Sequence, residues 1–338
     1  MKGYDVLYQN AIKVIDVKSI CLLIPYYGDF PNYFRLWLNS AKQNEGIDFI
    51  FITENIKQEN LPKNVKMVKE SFEELKRRIQ HKYDFKISLE TPYKLCDFRP
   101  AYGDIFEEIV KDYDYWGYCD IDLIFGDIRH FISDELLNNY EKINLHGHLS
   151  IYKNSDKMKT LYKTINQSLM NYRLAFSKNV SCHFDEYPGI SLICKYEDIK
   201  YIDIEDYADI DRFSHRFIKV FDHSTKKNDP KDIKQIFKWL NGKLINIIER
   251  DDKFEENEIM YVHLQKRNMD DEIDNINSFY VVPNKFISSS NEVKDCIEKY
   301  VTDKENGELK KFKKECLKRR FNKDYWKVKW VMRNRIKD

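Results

Sequence analysis

Trp116-Gly117-Tyr118-Cys119-Asp120-Ile121-Asp122-Leu123-Ile124-Phe125-Gly126-Asp127 is an apolar run broken by two carboxylates one residue apart. Such a run predicts a strand over residues 115–119 that ends in the two acids. In an open α/β sheet, ligands bind beyond the carboxyl ends of the strands, which is where Asp120 and Asp122 would emerge. If the extended geometry continues, the period of two sets both acids on one side, within reach of one ion. Paired carboxylates suit a hard cation such as Mg²⁺ or Mn²⁺, which can neutralise a departing diphosphate. Asp-X-Asp alone is weak in a chain with 56 acidic residues. Asp203 to Asp206 and Asp209 to Asp211 read as solvated loops or helix faces. The strand before Asp120 and the Gly126-Asp127 turn after Asp122 distinguish this pair.

Working outward, residues 19–25 form a wholly apolar run ended by Tyr26-Tyr27-Gly28, as expected of a central strand. Residues 34–41 have helical spacing and 47–53 are again apolar, so strand, helix and strand imply a parallel βαβ unit. A weaker strand is expected at 65–68, and Ser71 with Glu74 has the pattern of a capping box. A helix is expected over 101–111, a turn or helix over 127–131, and further strands at 143–152, 189–194 and 261–264. The fold class is α/β, with one principal domain over residues 1–303 and a helical tail over 304–338. No internal repeat, low-complexity linker or Gly-rich phosphate loop stands out.

Composition narrows the setting. With 42% hydrophobic and 33% charged residues, the 338-residue chain has a real core and a polar surface. No stretch approaches the roughly 20 apolar residues of a spanning helix, and residues 1–18 lack the basic start and apolar run of a signal peptide. Seven cysteines without a CxxC pair read as reduced, mostly buried thiols. A cytoplasmic location is expected. Residues 310–338 hold thirteen Lys or Arg against three acids, a balance of +10 that leaves −9 on the rest of a chain of net charge +1. Aromatic residues interleave with those bases, as in helices lying on an anionic membrane surface. Nucleic acid is not expected, because the acidic body would repel a phosphate backbone.

Upstream of the acidic pair, Pro92-Tyr93-Lys94-Leu95-Cys96-Asp97-Phe98-Arg99-Pro100-Ala101-Tyr102-Gly103 places Lys94, Asp97 and Arg99 before a helix. The two bases could meet phosphate and Asp97 a ribose or base; a salt-bridged turn at a helix start is the alternative.

Together with Ile24-Pro25-Tyr26-Tyr27-Gly28, these segments resemble the GT-A glycosyltransferases with a DXD motif. More closely, they resemble a little-characterised bacterial family found among capsule and cell-surface polysaccharide biosynthesis proteins. The likeness spans roughly residues 18–270. It implies a GT-A fold with a Rossmann-like, mixed but mostly parallel central sheet flanked by helices, and a nucleotide-sugar donor, UDP-linked by expectation. It further implies a glycan or lipid-linked acceptor and a hexosyl transfer, with retention of configuration the favoured course. On this likeness Asp120 and Asp122 are the metal-binding pair, and Tyr26, Asp97, Arg99 and Asp120 lie against the nucleotide. His263 resembles the late histidine that completes the metal shell, with Lys266 or Arg267 near the diphosphate.

Two middle segments are candidates for the acceptor. Residues 145–150 read as a polar turn interrupting a strand, where His148 and Ser150 could bond sugar hydroxyls; Asp185 or Glu186 could take the acceptor proton in an inverting course, and in a retaining one Asp185 would bind sugar hydroxyls. Each could equally be a capped loop. Two other functions remain open: a metal-dependent nucleotidyl or phosphoryl transferase, which would also use paired carboxylates, and a non-catalytic glycan-binding module, suggested by the 14% aromatic content.

Overall fold

Residues 20–24 alternate between two cores, and this alternation sets the architecture. In a computed structural model, Cys21 and Leu23 point into one apolar cluster, while Ile20, Leu22 and Ile24 point into another. The strand Ile20–Pro25 is therefore covered on both sides, as the unbroken apolar run requires. The structure describes residues 17–56, 60–145, 148–219, 233–305, 308–319 and 321–334. Most of the expected non-signal segment 1–18 lies outside them, as does the tail's end at 335–338.

Seven strands form the central sheet, in the order Val65–Lys69, Ile47–Thr53, Ile20–Pro25, Tyr115–Cys119, Leu149–Lys153, Lys142–Ile143, Tyr201–Ile202. The first four run parallel, with Ile20 opposite both Ile47 and Tyr115. Leu149–Lys153 runs antiparallel to both neighbours, and the last pair is parallel again. One face is covered by the helices Phe72–His81, Tyr172–Ser177 and Ile190–Tyr196 and by the 3-10 segment Pro92–Ala101, through Leu75, Phe98, Phe176 and Ile193. The other is covered by Phe34–Lys42, Ile128–Phe131 and Asp134–Asn139, through Trp37, Ile128 and Leu137.

Two further sheets stand beside the first. A four-stranded sheet has the order Phe217–Lys219, Tyr207–Ile210, Tyr261–His263, Leu123–Phe125. A six-stranded one has the order Lys253–Ile259, Lys243–Arg250, Lys234–Leu240, Ser278–Val282, Lys285–Ser288, Asp270–Glu272. Phe237, Trp239 and Phe279 of the larger sheet share a core with Ile124, Ala208 and Val262 of the smaller.

The capping box forms as expected: Ser71 Oγ accepts from Glu74 N, and Glu74 Oε2 accepts from Ser71 N at 2.8 Å. Two expectations need correction, the strand at 189–194 and the unbroken helix over 101–111. Residues 189–194 are not a strand: Ile190–Tyr196 is a helix, since a short apolar run carries no period that separates the two. The strand expected over 143–152, interrupted by a polar turn at 145–150, is two strands, Lys142–Ile143 and Leu149–Lys153. The helix expected over 101–111 is broken into Tyr102–Ile105 and Glu107–Val110, after a 3-10 start. The tail boundary at 303/304 falls inside the strand Thr302–Glu305, which pairs with Ser214–His215. The helix Lys323–Asn334 buries Val328 in the main core, so the tail is docked on the body.

Candidate functional site

The strands Ile20–Pro25 and Tyr115–Cys119 run in parallel, so Tyr26 and Asp120 leave the central sheet at the same edge. Between Cys119 and Leu123 the chain passes from the central sheet into the four-stranded one, and Asp120 and Asp122 occupy that crossing. They are not carried on one continuous strand, as their alternation suggested. They converge because the new strand pairs at once with Tyr261–His263, placing Leu123 opposite His263.

His263 Nε2 lies 3.2 Å from Asp122 Oδ2 and 4.0 Å from Asp120 Oδ2. On its other side, His263 is the register partner of Asp209, whose Oδ1 is 2.5 Å from Nδ1. His148 lies against the same imidazole, ring centroids 3.8 Å apart, with Nδ1 3.8 Å from Asp209 Oδ1. Two overlapping sets, Asp120–Asp122–His263 and His148–Asp209–His263, each bring three ligand atoms within 4.8 Å of one another.

The loop after His263 closes on the acids. Gln265 and Lys266 have φ of 51° and 56°, a left-handed pair that turns Lys266 N back to donate to Asp122 Oδ2 at 2.6 Å. Asp122 is buried, and among the described residues its Oδ1 has no hydrogen-bond partner. A buried carboxylate oxygen with its lone pairs unused is costly unless something else satisfies it. A hard cation coordinated also by Asp120 and the imidazole fits that atom and this mixed O/N donor set.

Charge couples these groups. Burial alone would lower the His263 pKa, but Asp122 and Asp209 overcome it and raise it to about 10. Burial would raise Asp122, yet His263 and Lys266 bring it below the ordinary carboxylate range. His148 is lowered by burial and by His263. Arg99 ties in a further carboxylate: its guanidinium pairs with Asp120 Oδ1 and, at 3.1 Å, with Asp185 Oδ2. Sharing that cation, Asp185 is still raised to about 8, chiefly by burial, with Glu186, Asp97 and Asp120 adding to the rise.

Asp185 is placed by the interior of the protein. Lys94 Nζ donates to Asp97, to Ala175 O at 2.8 Å and to Val180 O at 2.6 Å, while Asp97 accepts from Cys182 N and Phe184 N. Gly189 allows the close turn that follows, since a Cβ there would meet Phe184 O at 2.2 Å. Lys94 and Asp97, both buried and paired with each other, hold the 175–184 segment, in keeping with the salt-bridged alternative for this stretch. Ser150 is likewise internal, its Oγ donating to Asn144 O and accepting from Lys142, and it is withdrawn from the acceptor candidates.

The remaining candidates have distinct positions. Tyr26 donates to Asp29 O at 2.7 Å, and burial together with Asp122 raises its pKa. Lys266 meets Asp122 through its backbone while its ammonium lies 4.4 Å from the Tyr93 ring centroid. Arg267 is engaged with Asn284 Oδ1 at 2.6 Å and with Ser214 O at 3.0 Å. Glu186 is half-buried beside Asp185, with its backbone N–H donating to His183 O. The sequence reading missed two members: Asp209 was dismissed as a solvated acid, and His148 was assigned to sugar. Neither carried a local signal: Asp209 lies on the short strand Tyr207–Ile210 and His148 directly before Leu149–Lys153.

Fold and site define an α/β protein with a carboxylate–histidine cluster, of the kind that can hold a divalent cation, at the edge of a mixed sheet. The chain belongs to the Family of unknown function (DUF6625), which it matches over residues 22–290. No curated protein matches the sequence.

Proposed function

We propose that this chain is a metal-assisted glycosyltransferase of the GT-A type, moving a sugar from a nucleotide-sugar, a UDP-sugar foremost, to a glycan or lipid-linked acceptor in cell-surface polysaccharide synthesis. The observation that carries the reading is the convergence of Asp120, Asp122 and His263 where the central strand Tyr115–Cys119 ends, with Asp122 Oδ1 buried and unsatisfied. The acids also stand beyond the carboxyl end of a strand in the parallel part of the sheet, where open α/β sheets bind ligands.

On this reading Asp120, Asp122 and His263 hold Mn²⁺ or Mg²⁺. When bound, the ion supplies Lewis-acid neutralisation of the diphosphate as it leaves the anomeric carbon. Asp209 fixes the His263 ring through Nδ1 so that Nε2 faces the acids. Arg99 holds Asp120 and Asp185 together. In a retaining course, which the sequence resemblance favours, the Asp185 carboxyl orients sugar hydroxyls. In an inverting course the acceptor oxygen attacks the anomeric carbon, the bond to the diphosphate breaks, and Asp185 in its ionised form takes the acceptor proton. A carboxyl raised to about 8 is well matched to that exchange near neutral pH.

The test is sugar release from UDP-, GDP- and CMP-sugars with Mn²⁺ or Mg²⁺. Release by the native chain and its loss in folded Asp120→Ala and Asp122→Ala variants is expected. A native chain that binds no nucleotide-sugar with either ion sinks the proposal.

A further inference from the structure

Of the five tryptophans, Trp37, Trp116 and Trp239 are fully buried, whereas Trp326 and Trp330 are 45% and 57% exposed. The exposed pair is spaced i, i+4 on the helix Lys323–Asn334, hence on one face. The helix is fastened by Val328 and Val331, both buried, so the indoles face outward from a helix already docked. Between it and the helix Tyr172–Ser177 runs a groove lined by Leu174, Trp326 and Trp330, with Lys178, Lys323 and Lys327 around them. Phe321, just before the helix, is 88% exposed.

We propose that this face binds an anionic phospholipid surface. Indoles with one apolar and one polar edge, flanked by lysines, suit the headgroup boundary of a bilayer. Charge specifies the sign of the partner: residues 310–338 carry +10 and the remainder −9. An anionic plane can touch the basic helix and stay clear of the acidic remainder of the chain, which would repel a long flexible polyanion. No acid is among the described residues that line the groove, and the nearby Asp324 is engaged, 3.9 Å from Lys178 Nζ and accepting from Asn179 N. Among the described helices none is long and apolar enough to cross a membrane, so contact would be peripheral. Lys178 of the groove belongs to the 175–184 segment that Lys94 and Asp97 hold. This surface would act whether or not the site transfers sugar.

The experiment is co-sedimentation of the full chain with phosphatidylcholine vesicles with and without phosphatidylglycerol, read together with tryptophan emission. With three indoles already buried, a blue shift on binding reports on Trp326 and Trp330. Expected is binding with a blue shift only when phosphatidylglycerol is present, weakened at least about tenfold in Trp326→Ser/Trp330→Ser and in Lys323→Glu/Lys327→Glu, both judged folded by circular dichroism. The two double variants alter exposed side chains, and if one misfolds the other decides. Failure of the native chain to bind, undiminished binding by a folded double variant, or displacement from the vesicles by single-stranded RNA would overturn the proposal.

Discussion

Asp209 donates nothing to the sequence signature, yet its carboxylate orients His263 and raises the imidazole together with Asp122. A carboxylate behind a metal-ligating histidine fixes its tautomer and ring plane, and its loss typically costs about 10–100-fold in metal affinity. Asp209→Asn is therefore expected to weaken Mn²⁺ binding by that factor in titration calorimetry while the fold persists; affinity equal to the native chain would deny the orienting role. Lys142 tests the interior differently. It is fully buried, with its ammonium 3.7 Å from the Tyr152 ring centroid, and burial lowers its pKa from 10.5 to about 8. Between those values the unfolded chain binds more protons, so this group adds stability as pH rises through the window; below it both states are charged and the burial cost stands in full. The stability advantage of Lys142→Met over the native chain should shrink by an amount on the order of 3 kcal/mol from pH 8 to 10.5. Urea unfolding across that range checks it, and a constant difference would mean the folded lysine keeps its proton.

At the scale of elements, the site depends on how the three sheets join. Trp239, fully buried on the strand Lys234–Leu240, donates from Nε1 to Phe125 O at 2.9 Å and so fastens the large sheet to the strand that follows Asp122. Trp239→Ala removes a buried aromatic and that hydrogen bond, an expected cost of about 3–5 kcal/mol in denaturant unfolding. A loss below about 1 kcal/mol would show that the sheets are held elsewhere. The strands Ile20–Pro25, Ile47–Thr53 and Tyr115–Cys119 were legible in the sequence because burial on both faces demands unbroken apolar runs. The six-stranded sheet was not. Its strand Lys253–Ile259 is exposed over all but its last two residues, so no apolar run announces it, and pairing with Lys243–Arg250 decides its form.

At the scale of the molecule, the tail is neither a separate unit nor a free helix. Val328 lies in the same core as Phe98 and Phe176, which lead to the Arg99 and Asp185 segments. Val328→Asp would bury a charge without a partner and should release the helix, seen as faster tryptic cleavage within residues 310–334 while the body keeps its circular dichroism. A native cleavage pattern would place the helix elsewhere. Docking also explains how two indoles can stay outward on a chain whose other three are wholly buried.

By itself, the sequence determined the apolar strands of the central sheet with one parallel βαβ unit among them, the capped helix at Ser71, the acidic pair at a strand end and the charge asymmetry of the tail, because each is set by neighbours within a few residues. Tertiary structure alone decided that Asp209 and His148 join His263, that Lys94 and Asp97 are internal struts, and that the tail packs on the core. Those outcomes depend on register between strands distant in the chain, as where His263 meets Asp209 on one side and Leu123 on the other, and no local pattern encodes such a meeting.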